Sequence, residues 1–283
     1  MQHIEFFHRD HFQNNYHRSQ AINGLDAYID FFWETDFDHL WENHPNGFSD
    51  VLFANTGYTY LINLGTPFVM QVGEKKFEMR ADGFLPRHKT LECFHEKDNR
   101  LFGIKFRVSP VKIIKNINFA EYKEYIFPLS YLIDQNVVDR IKKANTFNER
   151  IEILTSYFQS IIEENNRVEQ PVRIVTAIMN DCDDNNDFTT PIEDIAAKYN
   201  ISSRTLQRYF ETCTGIGTKQ ALQVMRIRKA TDHLVNSPSD FHFSRYGYYD
   251  HSHFSKHLRL FLQKEAGPKL NLHVKLLQQL HAV

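Results

Sequence analysis

Arg204, Gln207, Arg208 and Glu211 stand at i, i+3, i+4 and i+7 of one stretch. Leu206, Tyr209, Phe210 and Cys213 repeat that spacing beside them. If the stretch is helical, the second set is an apolar stripe for a core and the first an outward polar stripe. An arginine fork matches the two acceptors on the edge of guanine, and a glutamine amide matches adenine. Such a stripe could read base edges in a major groove. A second segment has the same design. Phe254, Leu258, Phe261 and Leu262 face inward, and His251, Ser252, Ser255, Lys256 and Arg259 face outward.

The flanking residues supply the elements that would hold these stripes. Thr190-Pro191-Ile192-Glu193 reads as a helix start, with Thr190 as N-cap, Pro191 at the first helical position and Glu193 completing a capping box. The short helix runs through Tyr199 and buries Ile192, Ile195, Ala196 and Tyr199. Asn200-Ile201-Ser202 makes the turn, Asn200 tolerating a left-handed backbone and Ser202 capping the next helix. Gly215 ends that helix. A connecting helix from about Thr218 to Val235 carries Arg226, Arg228 and Lys229. Phe243-Ser244-Arg245-Tyr246 closes a short helix, Gly247 turns the chain, and Asp250 caps the second long helix.

Two outward-reading helices joined by one long helix resemble the arabinose-regulator (AraC/XylS) family. The matching residues are Ile195-Ala196, Ser202, Leu206, Arg208, Phe210 and Gly215, then Arg226, Ala230 and Leu234, then Gly247-Tyr248-Tyr249-Asp250-His251-Ser252-His253-Phe254. The resemblance covers the last 80 to 100 residues or so. It implies two helix-turn-helix units, about 191–215 and 239–263, whose second helices enter adjacent major-groove segments. Arg204, Gln207, Arg208, His251, Ser252 and Lys256 are then the base-contact candidates. Ser202, Lys219, Arg228, His253 and Arg259 are the phosphate-contact candidates. Two departures mark the second unit. His242-Phe243 stands where the family has Ile-Ala, and Gln263-Lys264-Glu265-Ala266 stands where it has Gly-x-Ser-Pro. That unit is expected to dock differently or read less strictly.

Charge divides the chain the same way. The net charge of −2 hides 13 Lys+Arg against 7 Asp+Glu in residues 191–283, and 20 against 28 in the rest. A basic third beside an acidic remainder suits a polyanion-binding module joined to something else.

Residues 1 to about 110 read as strand-rich. Val51-Leu52-Phe53, Tyr58–Ile62, Phe68–Val72 and Leu101–Val108 are β-prone runs punctuated by Asn46-Gly47, Thr56-Gly57, Gly65-Thr66-Pro67 and Gly73-Glu74. Residues 111–166 look mainly helical. There Ile151, Leu154, Phe158 and Ile161 form a near-heptad stripe that either pairs with a second subunit or packs on its own domain. The acidic run Asn180–Asp187 reads as an exposed loop. The expected fold is α+β: a small β-barrel or sandwich sensor domain with helices in 1–166, and an all-α double helix-turn-helix domain in 167–283. Asn46–Phe53, Leu64–Phe68 and Phe102–Arg107 resemble the N-terminal domain of one branch of the same regulators, a β-rich domain taken to sense a ligand.

Other chemistries find less support. Cys93, Cys182 and Cys213 are too widely spaced for a disulfide framework or zinc knuckle. His88, Glu92 and His95 would share a face only in a helix, and no tight His-x-His and Glu cluster stands near them, so no metal or other cofactor is expected. No nucleophile elbow, phosphate loop or dinucleotide fingerprint occurs, so no enzyme is expected. With no long apolar run and no signal-like N-terminus, the expected setting is the cytoplasm, with no membrane contact. Double-stranded DNA is the implied partner. The resemblance admits RNA polymerase, an unidentified small-molecule effector and a second copy of the chain. The rival readings are a β-barrel enzyme or metal-binding protein with a DNA-binding tail, and a protein-interaction module.

Overall fold

The computed structural model describes residues 11, 14–22, 24–108, 118–122, 125–165 and 170–262. Its organising strand is β4 (Tyr58–Asn63), buried along its whole length. Tyr58, Tyr60 and Ile62 join a core shared with the helices, while Leu61 points into a second core. A strand covered on both faces reads as an apolar run rather than an alternation. It lies inside an antiparallel six-stranded sheet ordered β1-β2-β9-β4-β7-β10. Those partners are β1 (Tyr16–Gln20), β2 (Ile29–Asp36), β7 (Gly83–Pro86), β9 (Arg100–Phe106) and β10 (Phe127–Pro128).

A second antiparallel sheet, β3-β8-β5-β6, consists of β3 (Ser49–Leu52), β5 (Phe68–Val72), β6 (Lys75–Met79) and β8 (Leu91–Phe94). Phe31, Trp33, Leu61, Phe68, Met70, Leu85, Leu91 and Leu101 fill the core between the two sheets. Gly103 of β9 makes room for the Trp33 indole, with which any Cβ would collide. The expected sandwich is therefore present.

Eight α-helices occur among the described residues: α1 (Asp38–Asn43), α2 (Gln135–Lys143), α3 (Phe147–Asn165), α4 (Gln170–Asn185), α5 (Ile192–Lys198), α6 (Ser203–Thr214), α7 (Thr218–Asn236) and α8 (His251–Leu262). The architecture is mixed α+β, with antiparallel sheets in the first part and helices in the last. One apolar cluster runs without a break from the outer face of the larger sheet through α3 and α4 into the C-terminal helices. Tyr60, Phe106, Phe158, Val175, Phe210 and Phe261 all belong to it.

That continuity corrects several expectations. Leu154, Phe158 and Ile161 are buried within the chain, and the Phe158 ring meets Phe106 edge-on at 5.5 Å between centroids. Of the two readings of the near-heptad stripe, packing within the chain is the one seen for these three residues, with Ile151 half-buried. The acidic run is mostly helix. Residues 180–185 close α4, where Cys182 is buried, and Asn186 ends the helix at φ 55°. Thr190 does not cap α5. Its hydroxyl donates to Asp187, and Pro191 occupies the cap position. His88, Glu92 and His95 share no helical face because 91–94 is strand, and Glu92 instead accepts from the Ser49 hydroxyl at 2.8 Å.

Gly215 does more than end α6. Its φ of 78° is left-handed, and a Cβ there would strike the Tyr58 hydroxyl of β4. Only glycine suits both demands. Gly215→Ala should lower unfolding free energy by about 1–2 kcal/mol from the left-handed backbone alone, with more from the collision. Denaturant unfolding of the two proteins measures this. Equal stability would mean that the loop yields freely.

Candidate nucleic-acid interface

The first candidate reading helix, α6, is fixed by local backbone chemistry. Asn200 turns the chain at φ 55°, the Ser202 hydroxyl accepts from the Thr205 amide at 3.2 Å, and Gly215 ends the helix. Leu206, Phe210 and Cys213 are buried, as the apolar stripe required. Arg204 and Arg208 are exposed on the other side, with Ser202 at the helix start and Lys219 just beyond the helix. Gln207 is engaged differently from the expectation. Its amide nitrogen donates to Glu211 at 2.7 Å, and its carbonyl accepts from the Thr218 amide at 3.1 Å. The N-cap of α7 is Gly217, which has no side-chain acceptor, so Gln207 caps that helix from outside. Reading a base would break both bonds.

The second candidate reading helix, α8, presents His251, Ser252, His253, Lys256 and Arg259 to solvent and buries Phe254, Leu258 and Phe261. Asp250 caps it by accepting from the His253 amide at 2.6 Å. The element before the turn is only a 3₁₀ turn, Phe243–Tyr246, ended by Gly247 at φ 71°. The seven-residue α5 holds the corresponding place in the first unit. Phe243 is half-buried, its ring between His242 at 4.6 Å and His251 at 6.1 Å. The predicted departure at Phe243 is thus a real difference in build, while residues 263–266 lie outside the described part.

Long-range side chains hold α8 where local backbone holds α6. The Arg226 guanidinium of α7 lies 3.7 Å from the Tyr248 ring centre, a cation–π contact. The Tyr248 hydroxyl bonds His257 Nδ1 at 2.8 Å. His233 and Tyr246 make a similar pair at 2.8 Å. Burial pulls the His257 imidazole down to about 4, and the positive Arg226 and nearby His253 push the same way.

Tyr249 was missed among the site candidates. It is 92% exposed beside the α8 cap, and the only signal in the sequence was an aromatic residue immediately before Asp250.

Arg228 is the main correction. It was placed with the phosphate contacts but is only 1% exposed, and its guanidinium donates to the Phe53 and Ala54 carbonyls at 3.2 and 2.8 Å. Arg87 reaches the same Phe53 carbonyl at 3.3 Å, and the Phe53 ring meets Phe261 of α8 at 5.3 Å. Lys105 is buried beside them and donates to the Thr56 and Phe106 carbonyls. Burial lowers its ammonium to about 7. Asp30 opposes that shift, while Arg87, Arg228 and Arg107 reinforce it. The chain therefore holds a buried cationic latch between sandwich and connecting helix.

Two exposed faces, each backed by an apolar stripe and both tied to one helix, define a double helix-turn-helix. Residues 195–265 match a family model described as "Helix-turn-helix domain", so the C-terminal part carries a helix-turn-helix domain. Among solved structures, ToxT from Vibrio cholerae is similar at 10% identity, covering 92% of this chain and 98% of that one with a TM-score of 0.46. ToxT from Vibrio cholerae O395 bound to (E)-4-(8-methylnaphthalen-1-yl)but-3-enoic acid is 11% identical over 87% and 92%, with a TM-score of 0.41. The AraC-like transcriptional activator CuxR is 10% identical over 80% and 90%, at 0.28. These likenesses are loose. A comparison with curated proteins finds no match.

Two predictions arise here. His257 titrates lower in the folded chain than in the unfolded one. The stability it contributes is therefore present above about 6.5 and lost as pH falls towards 4. The stability difference between wild type and His257→Gln, measured by urea unfolding from pH 7.5 to 4, should shift against wild type over that window. A constant difference would overturn the linkage. Arg228→Ala should cost about 1–3 kcal/mol by stripping buried carbonyls of their donor, and should leave the salt dependence of DNA binding unchanged. A salt slope shallower by about one would instead return Arg228 to the phosphate contacts.

Proposed function

We propose that this protein is a sequence-specific transcription regulator. It binds double-stranded DNA through α6 and α8, and its sandwich sets how those helices are presented. The observation that carries the reading is the pair of outward faces on one framework, Arg204 and Arg208 on α6, and His251, Ser252, Lys256 and Arg259 on α8. Arg204 and Arg208 are the strongest base-reading candidates, because both are exposed and neither is tied to a helix cap as Gln207 is; Arg208 lies only loosely over the Tyr209 ring, at 5.9 Å. His251, Ser252 and Lys256 occupy the equivalent position on α8. Ser202, Lys219, His253 and Arg259 suit phosphate oxygens, which position a protein without reading sequence.

Control by a small molecule fits the layout. The segment Phe53-Ala54 leaves the sandwich and touches both α7 and α8. A ligand that favoured one position of this segment would favour one arrangement of the readers. RNA polymerase is the partner through which bound protein would raise or lower transcription, and a second copy of the chain would extend the site read. Binding DNA suits a cytoplasmic place, and no helix among the described residues is long and apolar enough to cross a membrane.

The test is selection of bound sequences from random duplex DNA by wild type and by Arg208→Ala. Loss of one bidentate base contact should cost about 1–3 kcal/mol and relax choice at one position. Lys219→Ala should weaken all sequences equally and reduce the salt slope by about one. Weak binding with little salt dependence and no enriched sequence would remove the regulator reading in favour of a protein-interaction module.

A further inference from the structure

Between the two sheets, far in sequence from the reading helices, three side chains of different donor types converge. Asp50 of β3 and Cys93 of β8 are direct cross-strand partners, so they point to the same side of the smaller sheet. His95 stands two residues after Cys93, and the period of a strand keeps it on that side. All three are buried, and one ligand atom of each lies within 4.8 Å of the other two. His95 Nε2 is 3.1 Å from Asp50 Oδ1.

The hydrogen bonds around His95 decide which nitrogen carries its proton. Asn99 Nδ2 donates to the Thr66 carbonyl at 2.7 Å and to Asn63 Oδ1 at 3.3 Å, which fixes the amide with its oxygen towards the imidazole. That oxygen is 2.8 Å from His95 Nδ1, so Nδ1 must be the N–H. In the neutral ring the lone pair on Nε2 then points at a carboxylate oxygen. Two acceptors at that distance need a proton or a cation between them. Phe37 and Phe68 stack on the imidazole at 3.6 and 5.2 Å and hold its plane.

We infer that Asp50, Cys93 and His95 form a binding site for a divalent transition ion of the zinc class. Nitrogen, thiolate sulfur and carboxylate oxygen are the donors zinc takes. Asn99 plays the orienting part usual for a metal-bound histidine, by accepting from its other nitrogen. A cavity of about 30 Å3 adjoins the three side chains, lined also by Thr35 and His11. It is large enough for one water as a fourth ligand. On binding, the Cys93 thiol gives its proton to solvent and its sulfur bonds the metal, with no change of oxidation state. Sequence spacing hid the site because Glu92 and His88 drew attention to a helical period, while Asp50 is remote in the chain. This inference stands apart from DNA binding, and either can fail alone.

Cobalt(II) is the probe, since thiolate ligation gives a near-ultraviolet charge-transfer band and tetrahedral ligation strong visible bands. Full-length protein stripped with chelator should take up one equivalent of cobalt with both features, and zinc should displace it. Cys93→Ser should lose the near-ultraviolet band. Asn99→Ala should keep the band but weaken binding by about 10–100-fold. Cys182→Ser, remote in α4, should behave as wild type. Zinc should raise the melting temperature of wild type but not of Cys93→Ser, which guards against a variant that merely folds badly. Absence of both cobalt bands and a zinc shift in wild type would overturn the proposal and leave the His95–Asp50 contact as a hydrogen bond alone. An unchanged near-ultraviolet band in Cys93→Ser would overturn it equally.

Discussion

The arrangement of the whole chain turns on one buried guanidinium. Removing a cation from water costs several kcal/mol unless its protons find acceptors. Arg228, at 1% exposure, places its Nη1 on two consecutive carbonyls of a chain segment 174 to 175 residues away. Hydrogen bonds to a charged donor contribute about 1.5–3 kcal/mol each, which offsets part of that cost, but only while the segment stays in place. Arg87 shares the Phe53 carbonyl from the sandwich side, and the Phe53 ring carries the end of α8. A single backbone position therefore serves the sandwich, the connecting helix and the second reading helix.

The two reading units depend on that arrangement unequally. In the first, Ser202, Asn200 and Gly215 fix the start, turn and end of their elements by chemistry within a few residues. The second has only two short 3₁₀ turns, Pro238–Asp240 and Phe243–Tyr246, before its glycine, so less backbone defines it. Arg226, Tyr248 and His257 make up the difference through contacts between elements. Such contacts hold only while their protonation states and neighbours are right, whereas a capping hydroxyl does not titrate. The second unit is accordingly the one exposed to changes elsewhere in the molecule.

The sequence was most legible where structure is local. The caps at Ser202 and Asp250, the left-handed turns at Asn200, Gly215 and Gly247, and the stripes of α6 and α8 all follow from neighbouring residue types. Strands β3, β4, β5 and β9 were visible as β-prone runs, but their order in two sheets was not, since register depends on partners far along the chain. Arg228 shows the limit most clearly. On a helical wheel a buried arginine and a phosphate-facing arginine carry the same signal, and only the carbonyls opposite distinguish them. Gln207 is similar, because the missing cap at Gly217 gives it a structural task that its place on an outward stripe conceals. A helical period sets His95 with Glu92, whereas the extended chain through β8 sets it on the side of Cys93.

The connecting helix α7 gathers these dependences into one body. Its first turn is capped by Gln207 of α6, Arg226 meets the second unit, Arg228 meets the sandwich, and Lys229 pairs with Asp183 of α4 at 3.4 Å. Packed interiors pass displacement on rather than absorbing it. A shift at Phe53-Ala54 cannot reach α8 alone, because α7 must move with it and α6 is fastened to the start of α7. Arg204 and Arg208 keep their chemistry throughout such a motion, since neither takes part in the fastening. If the sandwich senses a ligand and α6 and α8 read DNA as proposed, what such a signal can alter is the spacing and angle between those two helices. DNA whose major-groove segments lie about one turn apart discriminates strongly on that quantity.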